Sequence, residues 1–339
     1  MHMEQREYVP FPQVTGHEEI RRHLMAAVTS GRISHAYLFD GMEGVGRRTM
    51  ARAFIQALLC TENKGRSEGC GHCVACRTVL DGNHPDVHWI RPEKGSGTIR
   101  VGQIRQELVQ DMMVRPYQSA YKIYVIEKAE LLGTEAQNAM LKTIEEPPAY
   151  GVVLLLTNGA SMLLPTIRSR CVTLNFQPLP QTQIRQVLRE RGVSEAQAAA
   201  GAAFSQGSLG QALALAGDEE FAALQETVGT LLAQQPEQTD GGRLEQAAAL
   251  EKYKKDYPVV LDLMEMWYRD VMVWQQTEKA ERLLMPDRQK AIARAASAYS
   301  TARLAELLHI LRDIREKLDQ NANYSLAMDC LLLALGKMK

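Results

Sequence analysis

At 339 residues the chain is long enough for two or three domains and a sizeable core. Its composition is 45% hydrophobic and 23% charged with a formal net charge of −1, which gives no bulk signature of a nucleic-acid or membrane-surface partner while leaving room for a local basic face. The longest apolar runs, such as Val152–Leu156 and Leu331–Leu335, are far too short for a bilayer span. The polar, charged start carries no secretory signal, so a cytoplasmic, reducing compartment is expected; Met1-His2-Met3 reads as an appended start ahead of a native Met3.

The first strand, Ala36–Phe39, runs into Gly41-Met42-Glu43-Gly44-Val45-Gly46-Arg47-Arg48 and then a helix over Arg47–Leu59. That is the strand–loop–helix context of the phosphate-binding frame G-x-x-x-x-G-K-[ST], kept at Gly41 and Gly46 with Gly44 between them. Arg47 stands where a lysine should reach the β- and γ-phosphates, and a guanidinium fork fits that position poorly. Arg48 stands where a hydroxyl should ligate Mg²⁺, and Thr49 is one residue out of register.

Six cysteines are present, four of them as Cys60-x₉-Cys70-x₂-Cys73-x₂-Cys76. Four thiolates with two tight steps suit one tetrahedral, structural Zn²⁺, against the blander readings of unpaired thiols or a redox pair. His72, His84 and His88 read as loop or surface histidines.

Further strands are expected at Val87–Ile90, Ile123–Ile126, Val152–Thr157 and Val172–Phe176, with helices over Val101–Asp111 and Thr134–Ile144. Thr134 reads as an N-cap, and Pro147-Pro148 stops that helix. Strands alternating with helices imply a parallel α/β sheet with the phosphate loop at the carboxyl end of its first strand. The third strand ends in Glu127-Lys128, where a working ATPase carries Asp-Glu, so a lysine occupies the place of the general base. With Arg47 and Arg48 this makes three defects in one site, and no functional ATP or Mg²⁺ site is expected.

Pro178 and Pro180 mark a break, and everything beyond reads as helical. A small helical unit fits Gln181 to about Gly217, and Gln234–Gly242 reads as a loop. Two apolar stripes follow, Val259 to Trp274 and Leu304 to Leu318, as core of a helical bundle with a share that could face partners. Ser169-Arg170-Cys171 precedes the fifth strand; alone it reads as an arginine in a surface salt bridge, but near the end of the α/β half it could also project into a neighbouring subunit.

Several of these pieces carry a resemblance that spans nearly the whole chain. They are Ser34–Phe39 leading into the altered loop, the four-cysteine insertion, Gly82-Asn83-His84-Pro85-Asp86, Asn138–Pro148 with its Leu-Lys-Thr-Ile-Glu-Glu-Pro-Pro run, Ser169-Arg170-Cys171, and Asn321-Ala322-Asn323. With them the chain resembles the clamp-loader branch of the AAA+ superfamily, and within it the delta-prime family of bacterial DNA polymerase III. The related ATPases carry Gly-Ser-Leu-Arg in the helical lid; here Gly207-Ser208-Leu209-Gly210 lacks the cation.

The resemblance implies an AAA+ α/β module over residues 1–177 with the zinc insertion at 60–76, a helical lid over 178–217 and a helical collar for oligomerisation over 218–339. It implies a non-hydrolysing stator in a hetero-pentameric ring with tau/gamma and delta subunits, acting on the sliding clamp and primed DNA through that complex, with no membrane partner. Arg170, flanked by Ser169 and Cys171, would then act in trans as an arginine finger in the adjacent tau/gamma ATP site. Two other readings compete with this one. The first is an ATP-hydrolysing tau/gamma-like subunit, disfavoured by Arg48, Lys128 and Gly210. The second is a zinc-ribbon nucleic-acid-binding protein, disfavoured because the cysteines lack interleaved basic and aromatic residues.

Overall fold

The computed structural model describes residues 8–62, 67–93 and 96–336, so the Met1–Met3 start and part of the 60–76 insertion lie outside the described residues. By its internal contacts the chain divides into two compact units, one running to Gln183 with Gly207–Gly210 added, the other made of Ile184–Gln206 and Gln211 onward.

The first unit is built on five strands: β1 Ala36–Asp40, β2 Val87–Ile90, β3 Lys122–Glu127, β4 Gly151–Thr157 and β5 Val172–Asn175. All pair in parallel in the order β2-β3-β4-β1-β5. Its helices are α1 Glu18–Ser30, α2 Arg47–Leu59, α3 Val74–Asp81, α4 Val101–Ile104, α5 Thr134–Glu145 and α6 Pro165–Arg168, and α4 continues into a widened turn over Arg105–Gln110. The central strands β1, β3 and β4 are near-continuous apolar runs because both faces are covered. Their period of two sends Tyr37, Phe39, Ile123, Val125 and Leu154 to a core shared with α1, α2 and α3. The alternate residues Leu38, Tyr124, Ile126, Val153 and Leu155 enter a second core with residues of the α4 segment, α5 and α6.

The expected strands and the helices over Arg47–Leu59 and Thr134–Ile144 are present to within a residue or two at their ends. Thr134 is not the cap of α5: Gly133 holds the extended capping position and no side chain caps it. Gln137 is buried, donates to the Leu132 carbonyl and accepts from the Leu164 N–H, which ties α5 to the approach to α6.

The second unit is all helical: α7 Gln181–Glu190 (from Ile184), α8 Glu195–Phe204, α9 Leu209–Ala216 (from Gln211), α10 Glu219–Gln234, α11 Asp240–Ala249, α12 Tyr257–Thr277, α13 Gln289–Ala298, α14 Thr301–Asp319 and α15 Tyr324–Leu335. The stripes of α12 and α14 meet in one core that includes Val260, Leu263, Met264, Trp267, Leu307 and Leu311. Trp267 and Leu311 are fully covered within the unit, so the core reading of both stripes holds at those positions. Among the described residues no helix is long and apolar enough to cross a membrane.

Candidate functional site

Helix α2 joins the two chemical motifs. Its first residue, Arg47, follows the phosphate-loop glycines, and its last, Leu59, precedes Cys60. Thirteen residues separate the two ends by about 20 Å.

At the amino end the glycines are needed for backbone shape. Gly46 caps the helix at φ 105° and Gly44 sits at φ 81°, both in the left-handed region. The parallel register sets Asp40 of β1 opposite Thr157 of β4, and the Gly41 N–H donates to the Thr157 carbonyl at 3.1 Å. The loop is also held from outside: the Gly44 carbonyl accepts the Gly210 N–H at 2.9 Å, and His17 Nε2 lies 2.9 Å from the Val45 carbonyl. A Cβ on Gly210 would stand 3.1 Å from the Gly44 Cα, so the segment that lacks the lid arginine rests against the loop.

The side chains that replace the chemistry have partners within the chain. Arg47 donates to Asn158 Oδ1, just past the end of β4; burial draws its guanidinium below the ordinary value, opposed first by Glu130. Arg48 Nε is 3.0 Å from Glu127 Oε1, and Arg91 Nε is 2.6 Å from Glu127 Oε2. The carboxylate at the end of β3 thus forms ion pairs with two guanidiniums, and Arg91 NH2 also donates a hydrogen bond to it. Arg48, Arg52 and Arg91 also all lie 5.6–5.9 Å from the centre of the Trp89 ring, within cation–π range. Lys128 is exposed and left-handed at φ 55°, and half-exposed Thr49 lies one residue further into α2.

At the carboxyl end of α2 the cysteine sulfurs of Cys60, Cys70, Cys73 and Cys76 all lie within 4.8 Å of one another. The Cys60–Cys73 and Cys70–Cys76 sulfur pairs are each 4.0 Å apart. A tetrahedral zinc with Zn–S of about 2.3 Å needs sulfur–sulfur edges of about 3.8 Å, so the donor set is compatible with that metal. Backbone N–H groups of Cys70, Cys73 and Cys76 point at the sulfurs of Cys60, Cys70 and Cys73 at 3.3–3.4 Å. Burial opposes ionisation, yet such N–H groups, that of Cys76 foremost, hold the Cys73 thiol down to about 6. Cys73 also caps α3, and Gln56 of α2 donates to the Cys76 carbonyl at 3.0 Å, which locks the cluster to the helix.

His72 and His84 lie in loops as expected, though His84 is buried, while His88 belongs to a strand. His72 is exposed and lies 2.6 Å from Glu62. His84 is buried at 3% exposure, because its Nδ1 takes the Asp86 N–H while Asp86 accepts the N–H groups of Tyr117, Gln118 and Ser119. Within the Gly82–Asp86 motif, exposed at Gly82, Asn83 and Pro85, buried Asp86 therefore clamps the 117–119 backbone, with His84 beside it. His88 is a half-buried β2 residue stacked on Tyr124.

Arg170 follows α6, far from the loop in sequence. Its NH2 lies 2.8 Å from Glu145 Oε1 at the end of α5, and its NH1 donates to the Thr166 carbonyl at 2.9 Å. Ser169 is exposed, while Cys171 is partly covered and burial pushes its thiol up to about 12.

Sequence reasoning missed Arg91, Arg52, Trp89 and Asn158. A usable signal existed for Asn158: it is the first polar side chain after a fully buried strand that neighbours the loop-bearing strand. The arginine–tryptophan cluster had none, since its members lie on α2 and at or just past the end of β2.

The model of the family described as DNA polymerase III, delta subunit, matches residues 16–180, and that of its C-terminal part matches residues 227–337. The DNA polymerase III subunit delta' of Bacillus subtilis is 30% identical over 319 residues, 93% of this chain and 95% of that protein. The delta' subunit of Pseudomonas aeruginosa is also 30% identical, over 88% of this chain and 91% of its own length. The tau/gamma subunit of Haemophilus influenzae is 36% identical over 178 residues, covering 52% of this chain and 25% of that protein. Likeness to these two delta' proteins covers 93% and 88% of the chain, whereas likeness to this tau/gamma subunit covers about half of it, and on that footing the chain belongs to the delta' family of DNA polymerase III clamp-loader subunits.

Proposed function

We propose that in its clamp-loader role this chain hydrolyses no ATP of its own and acts through its neighbours. It serves as a stator in a ring with tau/gamma and delta subunits, helps place the sliding clamp on primed DNA, and lends Arg170 to the ATP site of an adjacent tau/gamma subunit. The observation that supports the first half is the grip of Arg48 and Arg91 on Glu127. A carboxylate committed to two guanidiniums is a poor Mg²⁺ ligand, and with Arg47 tied to Asn158 the loop has no side chain left to thread between phosphates.

The family kinship and the accessible guanidinium of Arg170, 39% exposed, support the second half. An arginine supplied in trans contributes about 10³ to 10⁵ in rate in related phosphoryl transfers. Cys60, Cys70, Cys73 and Cys76 would hold one structural Zn²⁺ with no open coordination position, and so would fasten the end of α2 without supplying a catalytic metal. In the same reading residues 178–217 form a helical lid and the helical collar over 218–339 carries assembly, in a cytoplasmic complex.

ATP turnover by the isolated full chain tests the central claim. The expected result is none above buffer. Turnover that vanishes in Glu127→Gln would mean an operating site and would revive the tau/gamma-like reading.

A further inference from the structure

The two sequence runs that mark the family, Asn138–Pro148 and Ser169–Cys171, meet in space through one ion pair. Glu145 is the last residue of α5, and Pro147-Pro148 prevents the helix from carrying it further. Its carboxylate lies 2.8 Å from NH2 of Arg170. On the other arm of the fork, NH1 donates to the Thr166 carbonyl at 2.9 Å, with Ser169 Oγ at 3.4 Å. Both arms are therefore fixed from within the chain. NH2 meets Glu145 as an ion pair, and Nε–H has no acceptor among the described residues.

We propose that Glu145 is a positioning residue for Arg170, holding the guanidinium in one orientation so that its remaining N–H groups are presented outward. This rests on the reading of Arg170 as an arginine that acts on a neighbour's phosphates. The side chains are 39% and 41% exposed, so solvent screens their attraction and the pair does little for the stability of the fold. Its effect falls on the side chain itself. A free arginine samples many rotamers, and each must be frozen when the fork meets an anion; a fork already clamped at both arms loses less freedom at that moment. The carboxylate also offsets part of the positive charge, so Arg170 works mainly by directed hydrogen bonds. That accounts for an expected failure of Arg170→Lys, which keeps a charge but has no fork to clamp.

The test uses the full chain, alone and reconstituted with tau/gamma-type ATPase and delta subunits. Alone, side-chain nitrogen NMR of Arg170 should show hindered guanidinium rotation that is lost in Glu145→Gln. In the assembly, Glu145→Gln should lower DNA-stimulated kcat for ATP about threefold to tenfold, less than the ~10²-fold that a misplacement of about 1 Å can cost, with KM and melting temperature unchanged. The swap Glu145→Arg with Arg170→Glu should restore the pair and leave hydrolysis low. Free rotation of Arg170 in the wild-type chain overturns the positioning inference whatever the kinetics. Unchanged hydrolysis in Glu145→Gln, with hydrolysis lost in Arg170→Ala, overturns it while sparing the trans-acting arginine. Unchanged hydrolysis in Arg170→Ala overturns both. If the swap restores hydrolysis, the pair is structural and the inference also falls.

Discussion

The two ends of helix α2 have met opposite fates. At the carboxyl end all four sulfur donors stand at metal-compatible spacing, with backbone N–H groups aimed at three of them. At the amino end the glycine frame stands, while Arg47 and Arg48, in the positions of the lysine and the hydroxyl, contact Asn158, Glu127 and Trp89. The difference follows from what each device needs. A metal site is its side chains, and without them nothing folds round an ion. A phosphate loop is largely backbone, and a tight strand-to-helix turn remains useful after its lysine and hydroxyl are replaced.

The largest expected effect lies at the intact end. Cys73→Ser should remove the metal and destabilise the first unit by a few kcal/mol, a fraction of the ~10–16 kcal/mol with which structural zinc binds small peptides. Per kcal/mol, a unit of this size loses about 2–4 °C of melting temperature, so a shift approaching ten degrees is expected. Metal analysis and calorimetry on protein purified without chelator decide it. Zinc-free wild-type protein that melts like Cys73→Ser would leave the two ends of α2 alike.

At the altered end, Glu127→Gln should cost stability and nothing else. In a working ATPase the same change removes a metal ligand or a water-orienting group and mainly costs turnover. Here the side chain is 16% exposed and faces Arg48 and Arg91, so neutralising it leaves two guanidiniums without their carboxylate. A loss of about 1–3 kcal/mol is expected, below the ~3–5 kcal/mol of a fully buried pair because Arg91 is half exposed. Denaturant titration measures it. A melting curve unchanged by the substitution would mean that Glu127 is not committed to the arginines.

Legibility in the sequence divided along the same line. The five strands, the helix that joins the two motifs and the four cysteines were readable because each depends on residues adjacent or regularly spaced along the chain. The defects at Arg47, Arg48 and Lys128 were readable because a known frame exposes its exceptions. The partners these side chains take were not. Arg91 reaches Glu127 from beyond β2, Gly210 reaches Gly44 across more than 160 residues, and Glu145 reaches Arg170 from another helix. Such partners are chosen by the sheet order, which no local pattern reports. The burial of His84 was hidden for a related reason: it lies in a loop, as its place between Asn83 and Pro85 suggests, and only the fold supplies the Asp86 clamp that covers it.

Gly210→Ala carries the smallest expected effect and the finest test of how firmly the amino end is held. Gly210 is the second residue of α9 and its φ is not left-handed, so alanine fits its backbone. Alanine in a helix gains up to about 1 kcal/mol over glycine, and somewhat less in a first turn. Against this, the new methyl would stand 3.1 Å from the Gly44 Cα, closer than ordinary contact allows. The yielding group would have to be backbone, since Gly44 has no side chain to swing away, and the neighbouring Val45 carbonyl is met by His17. The Gly210 N–H bond to the Gly44 carbonyl should lengthen, and the two terms should nearly cancel, for a net loss of about 0–1 kcal/mol. Amide exchange resolves what melting cannot: the Gly210 N–H should exchange faster in the alanine variant while the β1 amides do not change. If alanine instead stabilises the chain with unaltered exchange, the loop yields freely, and the amino end of α2 retains the give that an anion would need to enter.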